Sequence, residues 1–139
     1  EEYVDTALDL FHPDGYFIEG NGWDTSYQAV AIEIGNEVLL SGYTDTDNRL
    51  RDALNTATDW LVDRINDNGE IDSTGNTRTC WGQEAFLGEP KILAMTSVIK
   101  AITYRSLDEN NAEWQSGVER VIQWVQNADA NSNPCYGET

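Results

Sequence analysis

The chain has 139 residues, enough for one domain with a real core. Its 25 acidic and 8 basic side chains give a formal charge of -17, which disfavours nucleic acid and anionic membrane as partners. No apolar run approaches the ~18 residues of a membrane helix. The chain begins at Glu1 rather than Met, as a processed product or an excised piece does. Two cysteines and only two lysines, Lys91 and Lys100, point to an exported protein, secreted or periplasmic, with one disulfide.

Apolar periodicity predicts helices nearly throughout, with almost no strand-type alternation. A short first helix covers about 3–11. The second covers about 25–41, with Tyr27, Val30, Ile34 and Val38 on one face and Thr25 and Gln28 at capping-box spacing. The third covers about 48–65 behind the cap candidates Asp45 and Asp47, with Leu50, Leu54, Ala57, Leu61 and Ile65 in register. The fourth starts near Pro90, a residue favoured in a first helical turn, and carries Ile92, Met95, Ile99 and Ile102. The fifth covers about 111–127, with Trp114, Val118, Val121 and Val125.

The helices recur in pairs. Leu50, Leu54, Ala57, Trp60 and Leu61 match Trp114, Val118, Val121, Trp124 and Val125 at one offset of 64 residues. The turn "PDGYF" returns 54 residues later as "DNGEI", and each turn is followed by a Gly-Asn pair, Gly20-Asn21 and Gly75-Asn76. A third copy begins at "NSNPCYGET". Recurrence at this period predicts stacked helix hairpins in one repeat domain spanning 1–139. Gly15 and Gly69 are expected at positive φ after a helix end, and Trp60 and Trp124 are expected to occupy equivalent places.

A helix, a "DG-aromatic" turn, and the loop "GNGWDTSYQAV" leading into a second helix resemble the α/α-toroid enzymes. The similarity is to polysaccharide lyases and glycoside hydrolases, and "NGEIDSTGNTRT" extends it. The resemblance implies an all-α fold of about five helices in antiparallel hairpins, arranged as a partial toroid. A full ring needs more helices, so it also implies an open arc, or a homodimer that completes a cleft. The implied partner is a carbohydrate polymer, met at the end of the hairpins where long loops line an aromatic cleft. No cofactor is implied.

The long loops after the first, third and fifth helices are expected at one end, which is where function tends to sit on a rigid scaffold. That end collects His12, Tyr16, Trp23, Asp24, Asn76, Arg78, Trp81, Gln83, Glu84 and Tyr136, with Tyr27 just inside the second helix. Flat rings suit stacking on sugar faces, and neighbouring amides and acids suit hydroxyl groups. Trp23, Tyr16 and Trp81, with Gln83 and Tyr136, are therefore the expected substrate-binding residues; the rival use of Trp23 is a plug over the helix layer.

In a lyase of the resembled kind, Asn76 and Arg78 offset a uronate carboxylate while Tyr27 or His12 moves the proton. In a hydrolase, Asp24 and Glu84 are the carboxylate pair to test. Each has a plainer alternative: a solvated turn for His12, a core ring for Tyr27, a turn for Asn76, an ion pair for Arg78 and a helix cap for Asp24. A non-catalytic glycan-binding module and a structural arc of a larger helical assembly stay open beside the enzyme. No metal site is expected: "NDNGEID" lacks the first acid and the closing Glu of a calcium loop, and one His with two separated Cys makes no zinc cluster. Cys80 and Cys135 follow equivalent helices into the long-loop layer, so they are expected to pair, closing a loop worth about 4 kcal/mol in the chain-entropy description.

Overall fold

A computed structural model of the chain describes residues 2–77, 85–86, 89–90 and 95–127. Five α-helices dominate: α1 (Glu2–Asp9), α2 (Thr25–Leu40), α3 (Arg49–Val62), α4 (Met95–Asp108) and α5 (Ala112–Asn127). The all-α expectation holds. Two-residue strands, β1 (Ala85–Phe86) and β2 (Glu89–Pro90), form a small antiparallel ladder. No described helix is long and apolar enough to cross a membrane.

Short polar side chains start the helices by accepting otherwise unpaired backbone N–H groups. Asp24 is extended and accepts from Tyr27 N at 2.8 Å, which makes it the cap of α2. The expected Thr25–Gln28 capping box is therefore replaced, because Thr25 is already helical and Gln28 points into the core. Asp45 receives the N–H groups of Leu50 and Arg51, both at 2.9 Å, across a 3-10 turn ahead of α3. Asp47 stands in that turn at φ 58°. Asn111 accepts from Trp114 N at 3.0 Å at the start of α5. Pro90 differs from expectation: it pairs with Ala85 in the ladder, and the described part of α4 begins at Met95.

Helices α2 and α4 lie side by side, and α3 packs against both. Helix α5 packs on α4 and α3, while α1 touches α3. The result is two layers, with α1, α3 and α5 in one and α2 and α4 in the other. Ile32, Leu54, Leu61, Val98, Ile102 and Val121 are fully buried between them. The expected core stripe of α2 is corrected here. Its buried face is Thr25, Gln28, Ala29, Ile32, Gly35 and Asn36, whereas Ile34 is 54% exposed. Apolar residues surround α2 almost completely, so periodicity alone offered two faces of similar quality.

The repeat is reproduced bond for bond in the turns. His12 N donates to Tyr16 O, and Asn66 N to Glu70 O, both at 2.8 Å. Gly15 N donates to His12 O, and Gly69 N to Asn66 O, both at 2.9 Å. Single bridges join Phe11 to Phe17 and Ile65 to Ile71. Both glycines have positive φ, 110° at Gly15 and 92° at Gly69. Each rests against the next helix of its own layer, α3 for Gly15 and α5 for Gly69. A Cβ on Gly15 would lie 3.2 Å from both Thr56 O and Trp60 Cβ, and one on Gly69 would overlap the Arg120 carbonyl and lie 2.9 Å from Trp124 Cβ. Trp60 and Trp124 thus do hold equivalent places.

At the opposite end, beside the short connections, the guanidinium of Arg105 is completely buried. Its Nε donates to Asn36 Oδ1 at 2.7 Å and its Nη1 to Asn55 Oδ1 at 2.9 Å. Asp108 pairs with both Arg105 and Arg51, and Glu109 lies 3.1 Å from Arg51 and 3.5 Å from Arg105. One charge network therefore ties α2, α3 and α4. Burial alone would raise the Asp108 carboxyl, but the two guanidiniums outweigh it and hold it low. Glu109 is held low by the Asn55 side chain and by Arg51, against a smaller opposing effect of burial.

Two outcomes follow from this packing. Gly15→Ala is expected to cost about 1–3 kcal/mol from backbone strain. Gly69→Ala should cost distinctly more, because its new methyl overlaps the Arg120 carbonyl whereas that of Gly15 meets its nearest atoms at 3.2 Å; urea unfolding of both variants measures the difference. Because the native pKa values of Asp108 and Glu109 lie below the ordinary 3.8 and 4.5, their contribution is present above that range and is lost as pH falls through the lowered native values. Arg105→Met should destabilise the protein by about 3 kcal/mol at neutral pH and flatten this acid-side loss in melts recorded from pH 6 to 2.

Candidate functional site

The loop end gathers an aromatic cluster around one guanidinium. It begins with the first turn, whose backbone ladder projects His12 and Tyr16 side by side. Their rings stack at 4.4 Å with planes 10° apart. Tyr16 then meets Trp23 at 5.6 Å and Trp60 at 5.8 Å, and Trp23 meets Trp60 edge-on at 6.1 Å. These separations suit tilted and edge-to-face aromatic contacts. Trp60 comes from the last turn of α3, Trp23 from the residue ahead of the α2 cap. All four rings are partly exposed.

Arg64, one helical turn beyond Trp60, lies over both indoles, 5.5 Å from the Trp23 ring centroid and 5.0 Å from that of Trp60. Its Nε donates to Asp72 O at 2.9 Å and its Nη2 to Thr74 O at 2.7 Å. The planar fork is thereby fixed between two carbonyls and two rings, a setting suited to Arg rather than Lys. Burial lowers the Arg64 pKa, and the nearby Asp72 carboxylate opposes that shift. Asp72 itself is held low chiefly by Thr74, whose backbone N donates to it at 2.9 Å. Asp14 N donates to His12 Nδ1 at 3.0 Å, so that nitrogen is an acceptor and Nε2 is the ring donor.

Beneath the rings, buried amides lock the loops. Gln28 accepts from Phe17 N at 2.8 Å and donates to Gly15 O at 2.9 Å and Ala57 O at 3.1 Å. One side chain thus joins the first turn, α2 and α3. Asn76 exchanges two bonds with Thr25: its Nδ2 donates to Thr25 Oγ1 at 2.6 Å, and its Oδ1 accepts from Thr25 N at 3.2 Å. Thr77 N donates to Trp23 O at 2.9 Å. Gly75 presses on the Trp23 ring, where a Cβ would sit 2.8 Å from Cζ2. The second loop therefore clamps the first.

Of the sequence-derived residues, the fold brings His12, Tyr16 and Trp23 together. Asp24 and Asn76 lie beside them but are buried, 3% and 2% exposed, and hold backbone. Tyr27 is not in the cluster; it lines an apolar groove between α1 and α2, because the helical rotation after Asp24 turns it away. Arg78, Trp81, Gln83, Glu84 and Tyr136 lie outside the described residues, as do Cys80 and Cys135. Sequence reasoning placed Trp60 only as a repeated helix position and missed Arg64 and the role of Gln28. The available signal was the Trp60–Arg64 pair, four residues apart at the end of α3 and directly before a turn. Among the described residues no three His, Cys, Asp or Glu side chains converge to hold a metal. No family model, curated protein or solved structure matches this chain.

Gln28→Leu keeps similar volume but takes the partner from the buried Phe17 N–H and the Gly15 carbonyl, each costing about 1–3 kcal/mol. A loss of about 3 kcal/mol or more in denaturant unfolding is expected, with tryptophan fluorescence changing before the helical signal. A loss under about 1 kcal/mol would remove Gln28 as the link between loop and helices.

Proposed function

We propose that the loop end binds a carbohydrate polymer, with Tyr16, Trp23 and Trp60 as the aromatic surface and His12 and Arg64 as the polar groups beside it. The observation that carries this reading is a cluster of four partly exposed rings, two of them under a guanidinium whose position is fixed by two backbone carbonyls. Rings offer flat apolar faces to the C–H faces of a sugar, and His12 Nε2 and the remaining Arg64 Nη1 protons donate to its hydroxyls. Among the described residues Arg64 bonds through Nε and Nη2. Pre-organised rings and a fixed fork limit the ordering cost of binding.

Binding without catalysis is favoured over lyase or hydrolase action. Asp24 and Asn76, two of the polar groups such reactions would use, are engaged in holding the α2 start and the Thr25 backbone. Trp23 is in part the plug weighed against the binding reading, since Gly75 and Arg64 cover much of its ring. Tyr16 is therefore the residue whose loss discriminates. Tyr16→Ala should weaken binding to the best polysaccharide on a broad array about tenfold, equivalent to ~1.4 kcal/mol, while the helical circular-dichroism signal is kept. Wild-type protein that binds no glycan, or a Tyr16→Ala variant that binds as wild type does, would overturn the reading.

A further inference from the structure

Away from the loop end, α1 and α2 leave an apolar groove of about 180 Å³ between them. Tyr3 and Leu10 of the α1 side and Tyr27, Ala31, Ile34 and Val38 of α2 line it. Tyr3 is 90% exposed, Ile34 54% and Leu10 46%. On α2 these four residues follow helical spacing, i, i+4, i+7 and i+11, so they form one continuous stripe opposite the helix's core face. Helix α2 is thus apolar on two sides and covered on one. Helices α3 and α5, in contrast, each have a single apolar face directed inward.

The repeat says what fits there. The first turn and the second share their hydrogen bonds and rest in the same way on α3 and α5, and α2 packs on α3 as α4 packs on α5. Helix α2 packs against both α3 and α4. Shifting the pattern back by one repeat puts a helix against α1 and α2 in the way α2 meets α3 and α4. The α1–α2 groove is the continuation of that interface.

We propose that the α1–α2 groove seats one further helix of the same repeat, running parallel to α2 and antiparallel to α1. That helix presents small and aliphatic residues to the groove, as α2 presents Ala29, Ile32 and Gly35 to the core. The inference is independent of what binds at the loop end. It concerns a protein interface on the side of the helix layers.

The test supplies such a helix in register. A copy of residues 25–55 is placed directly ahead of Glu2, in place of Glu1, so that a second copy of α2 and of the first half of α3 precedes α1. Thermal unfolding of this extended chain should rise by about 5 °C or more above the original. It should remain monomeric by sedimentation, and the added segment should resist a protease under native conditions. Ile34→Glu in the original α2 should return the extended chain to the original melting temperature and expose the added segment to cleavage. Tyr3→Glu should act in the same way, and neither substitution should shift the unextended protein by more than about 1 °C, both sites being exposed. An unchanged melting temperature with a cleavable extension would overturn the proposal. An unextended protein that is already a dimer, and that Ile34→Glu dissociates, would assign the groove to a second copy and overturn it as well.

Discussion

Each turn glycine rests on the downstream helix at a tryptophan, and the remainder of the architecture depends on that contact. Gly15 lies against Thr56 and Trp60, and Gly69 against Arg120 and Trp124. A helix can end, reverse and leave room for its neighbour only if the turn residue has positive φ and no side chain. The contact fixes how far one hairpin sits from the next. It also sets the orientation of the ladder that carries His12 and Tyr16, and hence where the aromatic cluster forms.

The two ends of the helix layers are held by different chemistry. At the loop end, neutral amides do the work: Gln28 and Asn76 satisfy backbone groups that no helix or sheet can pair. At the short-connection end, a buried cation does it, with Arg105 meeting two asparagines and two carboxylates. Breaking such a network is costly because the partners stay behind unpaired. The strongly acidic composition makes this use of cations notable in mechanism. Arg49 reaches Asp5 across to α1, Arg51 reaches Asp108 and Glu109, and Arg64 holds the second loop. The described arginines chiefly hold together elements of a chain whose net charge would push them apart.

The aromatic cluster and the apolar groove are separate surfaces with separate uses. The cluster lies where loops meet and combines rings with fixed hydrogen-bond donors, the composition of a small-ligand surface. The groove lies along two helices, is lined almost wholly by apolar side chains, and follows helical spacing, the composition of a helix seat. Tyr27 shows how the fold divides them. It sits three residues from Asp24 and four from Trp23, yet helical rotation sends it to the groove.

The sequence by itself determined the five helices, Asp45 as one of two cap candidates for α3, the positive-φ turns at Gly15 and Gly69, and the equivalence of Trp60 with Trp124. These are local or repeated features: periodicity, capping chemistry and glycine placement act within a few residues, and a repeat shows itself by comparison along the chain. Only the tertiary structure decided which side of α2 is core, because a helix apolar on two faces carries no periodic signal that ranks them. It alone decided that Gln28 joins three elements rather than capping one, and that Arg64 lies over Trp23 and Trp60. Gln28 meets Ala57, 29 positions away, and Arg64 meets Trp23 from a separate loop, and nothing in the local pattern of either partner encodes the other. The number of helices was legible because each helix satisfies its own backbone; the site was legible only in part because it is built where separate segments meet.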